Sequence, residues 1–287
     1  MTHHLTTTPM VGIEATPGDG RYGVFDHGAH VWAWQPAGER PVLWLSEASL
    51  FEAGRAIRGG VPVIFPWFGP GRQPGMTPAH GFARLDAWRR TAVADSLDED
   101  GALVVSYAFD RGDAGQTPAW PYSFAVTFEV TFGRTSLDMA LTVTNTDDRP
   151  FDFEEALHTY LAVGDVRQVE LEGLDGAPFW SKVTDERSIE QGVVRLDSAF
   201  DRVYTSSGTI VLTDPVWGRR LEISKENSDN TVVWNPWVSG AAAMADFADD
   251  EWPEMICVEA ANVLSNAVVL EPGTSHTMRQ QITLLDG

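Results

Sequence analysis

Cysteine occurs once in the 287 residues, at Cys257, so no internal disulfide can form. Basic residues are scarce: 20 Lys and Arg stand against 41 Asp and Glu, a formal charge of -21. That balance opposes long-range attraction to phosphodiester backbones and anionic lipid, so neither nucleic acid nor a membrane surface is expected as a partner. Long apolar runs are missing as well. The stretch from Val61 to Phe68 is cut by Pro62 and Pro66 and falls well short of the roughly 18 residues a membrane helix needs. The start Met1-Thr2-His3-His4-Leu5 lacks the basic and apolar regions of a secretory signal, and with the lone cysteine this makes the cytosol the expected location.

Helical spacing of apolar residues is equally rare. The best candidate, Ala245 to Trp252, is long enough for only one or two turns. Alternation with period two is frequent instead. Phe124, Val126, Phe128, Val130 and Phe132 alternate with smaller or polar residues, and after a break at Gly133-Arg134-Thr135-Ser136 the pattern resumes with Leu137, Met139, Leu141 and Val143. That is an antiparallel hairpin, ended by Asn145-Thr146-Asp147-Asp148. Shorter runs recur at Val31 to Trp34, Val42 to Leu45, Leu103 to Phe109, Val169 to Leu171, Ile210 to Leu212, Leu221 to Ile223, Thr231 to Trp234, Met255 to Val258 and Met278 to Leu285. With 43% hydrophobic residues the chain can fill a large core. Strands without intervening helices predict an all-β fold, a large antiparallel β-sandwich spanning residues 1–287, with few short helices. No Gly/Ser linker, fixed-period repeat or low-complexity block interrupts it, and the acidic stretch Asp95 to Asp100 reads as a solvated loop.

Among seven histidines, His80 and His158 stand out. His80 lies in Pro78-Ala79-His80-Gly81-Phe82-Ala83-Arg84, a loop context, whereas His158 follows Glu154-Glu155-Ala156-Leu157 in a strand pattern that should fix its direction. Either could simply donate a core hydrogen bond. No His-x-His pair, His-Glu-x-x-His helix or Cys-x-x-Cys pair supplies local metal-ligand spacing, so no metal is expected. Glu259 closes an apolar run, where a carboxylate is either exposed at a strand end or kept for function. Arg58 before Gly59-Gly60 can approach an anion or a hydroxyl-rich sugar closely, or form a surface ion pair with one of the many acidic residues. The aromatic tracts Pro66-Trp67-Phe68 and Trp234-Asn235-Pro236-Trp237 offer faces for a pyranose ring, or simply core.

Taken in order, Arg58 to Gly69, His80-Gly81-Phe82-Ala83-Arg84, Glu154 to Tyr160, Trp234-Asn235-Pro236-Trp237 and Cys257 to Val263 resemble the glucose-6-phosphate 1-epimerases. These are hexose-phosphate mutarotases of the aldose 1-epimerase, or galactose mutarotase-like, superfamily. The resemblance implies the galactose mutarotase-like supersandwich, no cofactor, and chemistry without metal. It implies Glu259 as general base, His158 as general acid and His80 as a second histidine at the ring. It also implies Arg58 and Arg84 as ligands of the substrate and its phosphate, Asp201 as a ligand of sugar hydroxyls, and Trp237 as a further substrate-binding residue. The expected partner is a small-molecule hexose phosphate, and the expected state is a monomer.

Those residue types suit anomer exchange. A base removes the proton of the C1 hydroxyl while an acid protonates the ring oxygen; the opened aldehyde rotates and closes on its other face. A bell-shaped pH profile with limbs on either side of neutrality is the sequence-based expectation. Three rivals stand beside this reading: an aldose 1-epimerase of unphosphorylated sugars, a non-catalytic carbohydrate-binding sandwich, and a glycoside hydrolase, which would use two carboxylates.

Overall fold

The computed structural model describes residues 3–7, 9–95, 102–110 and 117–285. The acidic stretch read as a loop falls largely outside them, in residues 96–100.

Two eight-stranded antiparallel sheets dominate. One runs in the order Glu170–Glu172, Ile210–Asp214, Arg219–Glu226, Ser275–Leu285, Ser136–Asn145, Phe124–Phe132, Leu103–Phe109, Arg89–Asp95. The expected hairpin forms its centre, with Phe132 opposite Leu137 and Phe124 opposite Asn145. Its period-two pattern places Phe124, Val126, Phe128, Val130 and Phe132 in the core, because alternate side chains of a strand point to one face.

The second sheet carries the site. Its order is Glu186–Ile189, Pro178–Ser181, Phe200–Thr205, Asn230–Asn235, Met255–Asn262, Glu155–Leu157, Val63–Ile64, and Tyr160–Ala162 also pairs with Met255–Asn262. Both faces of this sheet are covered, so Met255–Asn262 is buried at every position. Tyr204, Val233, Val258 and Ala260 join the large core shared with the first sheet. Val203, Val232 and Ala261 face the other way, in a second cluster with Ile64, Phe68, Ala156 and Val263.

Three sequence-based expectations are corrected. Val42 to Leu45 forms no continuous strand, contributing only isolated bridges from Leu43 to Leu161 and from Leu45 to Gly59. Ala245 to Trp252 makes successive turns, and the α-helix lies earlier, at Trp237–Ala242. The acidic side chains of that segment bond elsewhere than a helix would place them: Asp246 turns to Arg58, and Glu251 accepts from the Ala248 amide, Ser46 and the Glu47 amide. Finally, His158 stands in a break between two short strands, held there by backbone bonds from its own amide to Pro62 and from the Val258 amide to Thr159.

Candidate active site

Strand register assembles the site in rows. Asp201 pairs with Trp234, Trp234 with Cys257, and Cys257 with Tyr160, so these four residues form one line across the sheet. Two residues along, and so on the same face, lies the line of Val203, Val232 and Glu259. Because Leu157 lies opposite Ala260 and Tyr160 opposite Cys257, the same register sets His158 opposite Glu259. Their side chains meet at 3.4 Å, from His158 Nδ1 to Glu259 Oε1.

Gln280, from the first sheet, braces this pair from behind. Its Nε2 donates to the Val258 carbonyl at 2.9 Å and its Oε1 accepts from Thr159 Oγ1 at 2.6 Å, so it grips the chain neighbours of both Glu259 and His158. It is wholly buried.

Glu259 is not at a strand end but inside the strand, 1% exposed, with Oε2 unpaired. Burial, reinforced by nearby Asp201, raises its pKa well above the ordinary carboxylate range. Burial also pushes His158 well below the usual imidazole range, helped by His80 and the cations Arg84, Arg58 and Lys182.

A cleft opens over the pair, lined by Arg58, Phe68, His80, His158, Lys182, Asp201, Val232, Trp234 and Glu259. His80 takes a positive φ of 66°, its Nδ1 accepts from the Gly69 amide at 3.3 Å, and its ring lies 5.9 Å from that of His158. Burial, with Arg84, Lys182 and Arg58 nearby, lowers its pKa to about 3. Gly81 follows because a Cβ there would lie 2.1 Å from the Phe65 carbonyl oxygen. The tip of this wall hangs on Glu154, buried and accepting from the amides of Phe68 at 2.9 Å and Leu264 at 2.7 Å. Glu154→Gln turns one of those acceptors into a donor facing an N–H, and a loss of about 1.5–3 kcal/mol in unfolding free energy is expected from urea titration.

The predicted binding residues divide. Arg58 lines the cleft, with Nη1 donating to Tyr160 Oη at 3.0 Å and Nη2 to both Asp246 oxygens at 3.2 Å. Asp201 lines it too, and burial raises its pKa against the pull of Lys182. Arg84 is not among the lining residues; Nη2 donates to the Ala79 carbonyl and burial lowers its pKa to about 10. Trp237 is not among them either, its ring packing 4.3 Å from Trp252, and Trp234 faces the cleft instead. Asn235 explains the tract: it donates to the carbonyls of Trp252 and Met255 and accepts from the Trp237 amide. Sequence reading missed Lys182, whose Nζ lies 3.0 Å from Asp201 and over the Phe68 ring, and Asp246, the partner of Arg58.

A buried carboxyl and imidazole 3.4 Å apart under a polar, aromatic-walled cleft, on a sandwich of antiparallel sheets, suit a carbohydrate isomerase, and the relatives of the chain are of that class. Residues 14–283 match the family described as Aldose 1-epimerase, and the chain belongs to that family. It is 36% identical over 254 residues to an Escherichia coli K12 protein named "Putative glucose-6-phosphate 1-epimerase", covering 87% of this chain and 82% of that one. A protein of the same name from Cenchrus ciliaris is 34% identical over 265 residues, 87% of this chain and 77% of that one. Among solved structures, the Salmonella typhimurium mutarotase-type protein YeaD superposes with a TM-score of 0.87 at 27% identity, covering 100% of this chain and 97% of that one. The galactose 1-epimerase of Lactobacillus acidophilus shares the fold, with a TM-score of 0.71 at 13% identity over 100% and 98% of the two chains.

Proposed function

We propose that this mutarotase interconverts the α and β anomers of a hexose 6-phosphate, glucose 6-phosphate foremost. Glu259 takes the proton of the C1 hydroxyl and His158 delivers one to the ring oxygen. The observation that carries the reading is the buried pair at 3.4 Å beneath a cleft that holds both a guanidinium and an ammonium. The names of the relatives from Escherichia coli and Cenchrus ciliaris support the phosphosugar. Asp201 accepts from ring hydroxyls, and His80, kept neutral by burial, adds a hydrogen bond without another charge. Arg58 and Lys182 take the phosphate, with Arg84 contributing at longer range.

The displaced pKa values change the expected pH profile. Glu259 is raised and His158 lowered, so the resting pair keeps its one proton on the carboxyl. The working form, carboxylate and imidazolium, holds the same number of protons with one moved across the pair. Rate therefore follows the singly protonated pair, falling in acid as a second proton binds and in alkali as the last one leaves. The acid limb follows His158 and lies well below the 6.5 of free imidazole, and the alkaline limb follows Glu259 and lies well above the 4.5 of a free carboxyl. A pH profile of kcat/KM with only one limb would overturn the pairing.

Magnetisation-transfer NMR on glucose 6-phosphate, galactose 6-phosphate and glucose tests the function. Acceleration confined to the phosphosugars is expected. Equal acceleration of glucose makes the protein a general aldose 1-epimerase, and no acceleration of any sugar leaves a binding module.

A further inference from the structure

Cys257 is the only thiol of the chain, and it is fully buried beside the catalytic pair. Cys257 and Glu259 are two apart on one strand and share a face, and His158 stands opposite Glu259. One ligand atom from each of the three lies within 4.8 Å of the others. Two of the polar atoms there have no hydrogen-bond partner, His158 Nδ1 and Glu259 Oε2, the latter on a side chain 1% exposed. Ligands around a tetrahedral zinc lie about 3.3–3.8 Å apart, given bond lengths near 2.0–2.3 Å, so small side-chain adjustments would close the set.

We propose that His158, Cys257 and Glu259 form an inhibitory site for a thiophilic divalent cation such as Zn2+ or Cd2+. A sulfur, a nitrogen and an oxygen suit these ions and not Mg2+ or Ca2+, which need a shell of oxygens. Three protein ligands leave a fourth position open to water from the cleft. Binding releases two protons to solvent, one from the Cys257 thiol and one from the Glu259 carboxyl, and joins the thiolate sulfur, the carboxylate oxygen and the neutral His158 nitrogen to the metal. The two cations at the cleft do not forbid it, because Arg58 is paired with Asp246 and Lys182 with Asp201. A metal seated here occupies the acid and the base together, so it inhibits in competition with the sugar.

The test is a Cd2+ titration of the whole chain without sugar, followed in the ultraviolet for thiolate-to-cadmium charge transfer. One band saturating at one metal per chain is expected, and it can come only from Cys257. In Cys257→Ala the band is absent, anomer exchange in metal-free buffer persists, and the Zn2+ concentration for half-inhibition rises at least about tenfold. Cys257→Ser gives the same readout if the smaller side chain loosens the core. In Glu259→Gln the band remains but needs more Cd2+. Absence of the band, or Zn2+ inhibition undiminished in both cysteine variants, overturns the site. The band is read without substrate, so it stands or falls separately from the phosphosugar reading, on which only the inhibition depends.

Discussion

Glu259→Gln lowers kcat for anomer exchange by about 10²–10⁴-fold, the usual contribution of a positioned general base. The amide keeps the shape of the side chain and cannot take a proton. Loss of binding is not expected, because the variant leaves Arg58, Lys182, Asp201 and His80 in the cleft untouched. Nor is loss of stability. Glu259 is buried with its neutral acid form favoured, so a neutral amide of the same shape brings no new charge into the core. The combination is diagnostic: kcat falls, while glucose 6-phosphate affinity by calorimetry and the Tm hold. Exchange retained within about tenfold would remove Glu259 from the chemistry.

Lys182→Met separates phosphosugar from sugar. The Arg58 guanidinium is already engaged by Tyr160 and Asp246, whereas the Lys182 ammonium, with three donors, meets Asp201 as its carboxylate and rests over an aromatic face. It keeps hydrogen-bonding capacity for an anion entering the cleft. A charge-assisted bond contributes about 1.5–3 kcal/mol, so KM for glucose 6-phosphate rises about 10- to 100-fold. The rate on glucose stays unchanged, and Lys182→Arg restores most of the loss. An equal effect on both sugars would assign Lys182 to holding Asp201. The double variant with Asp201→Asn tells these roles apart, since a structural effect through Asp201 vanishes once that carboxylate is gone.

Legibility followed locality. The hairpin Phe124–Phe132 with Ser136–Asn145 could be read because its alternation is set by one buried face and its register by a short turn. The two residues named for acid and base came from the family resemblance, and the structure brings them together by a register between segments about a hundred residues apart, which no local pattern states. Glu259 reads as a strand end because charge follows an apolar run, but the small residues Ala260 and Ala261 continue the ladder and bury it. Lys182 follows Pro178–Ser181 in a turn, with nothing in its neighbourhood to separate it from a surface lysine. Its place beside Asp201 comes from pairing between adjacent strands. Asp246 lies in Ala245 to Trp252, whose helical spacing hides the turn that brings its carboxylate to Arg58.

The strand that carries Gln280 has a consequence for the order of assembly. Ser275–Leu285 lies between Arg219–Glu226 and Ser136–Asn145, so it joins a four-stranded meander built from residues 89–145 to a three-stranded unit from residues 170–226. Until it inserts, both units expose an unpaired edge, and the segments carrying His158 and Glu259 lack the clamp of Gln280. Synthesis from the N-terminus therefore passes residue 274 before the sheet can close, and His158 and Glu259 gain their fixed separation in the same event that hides the unpaired edges. A nascent chain stalled before residue 275 should be both inactive and prone to edge-to-edge association, whatever the integrity of its cleft residues.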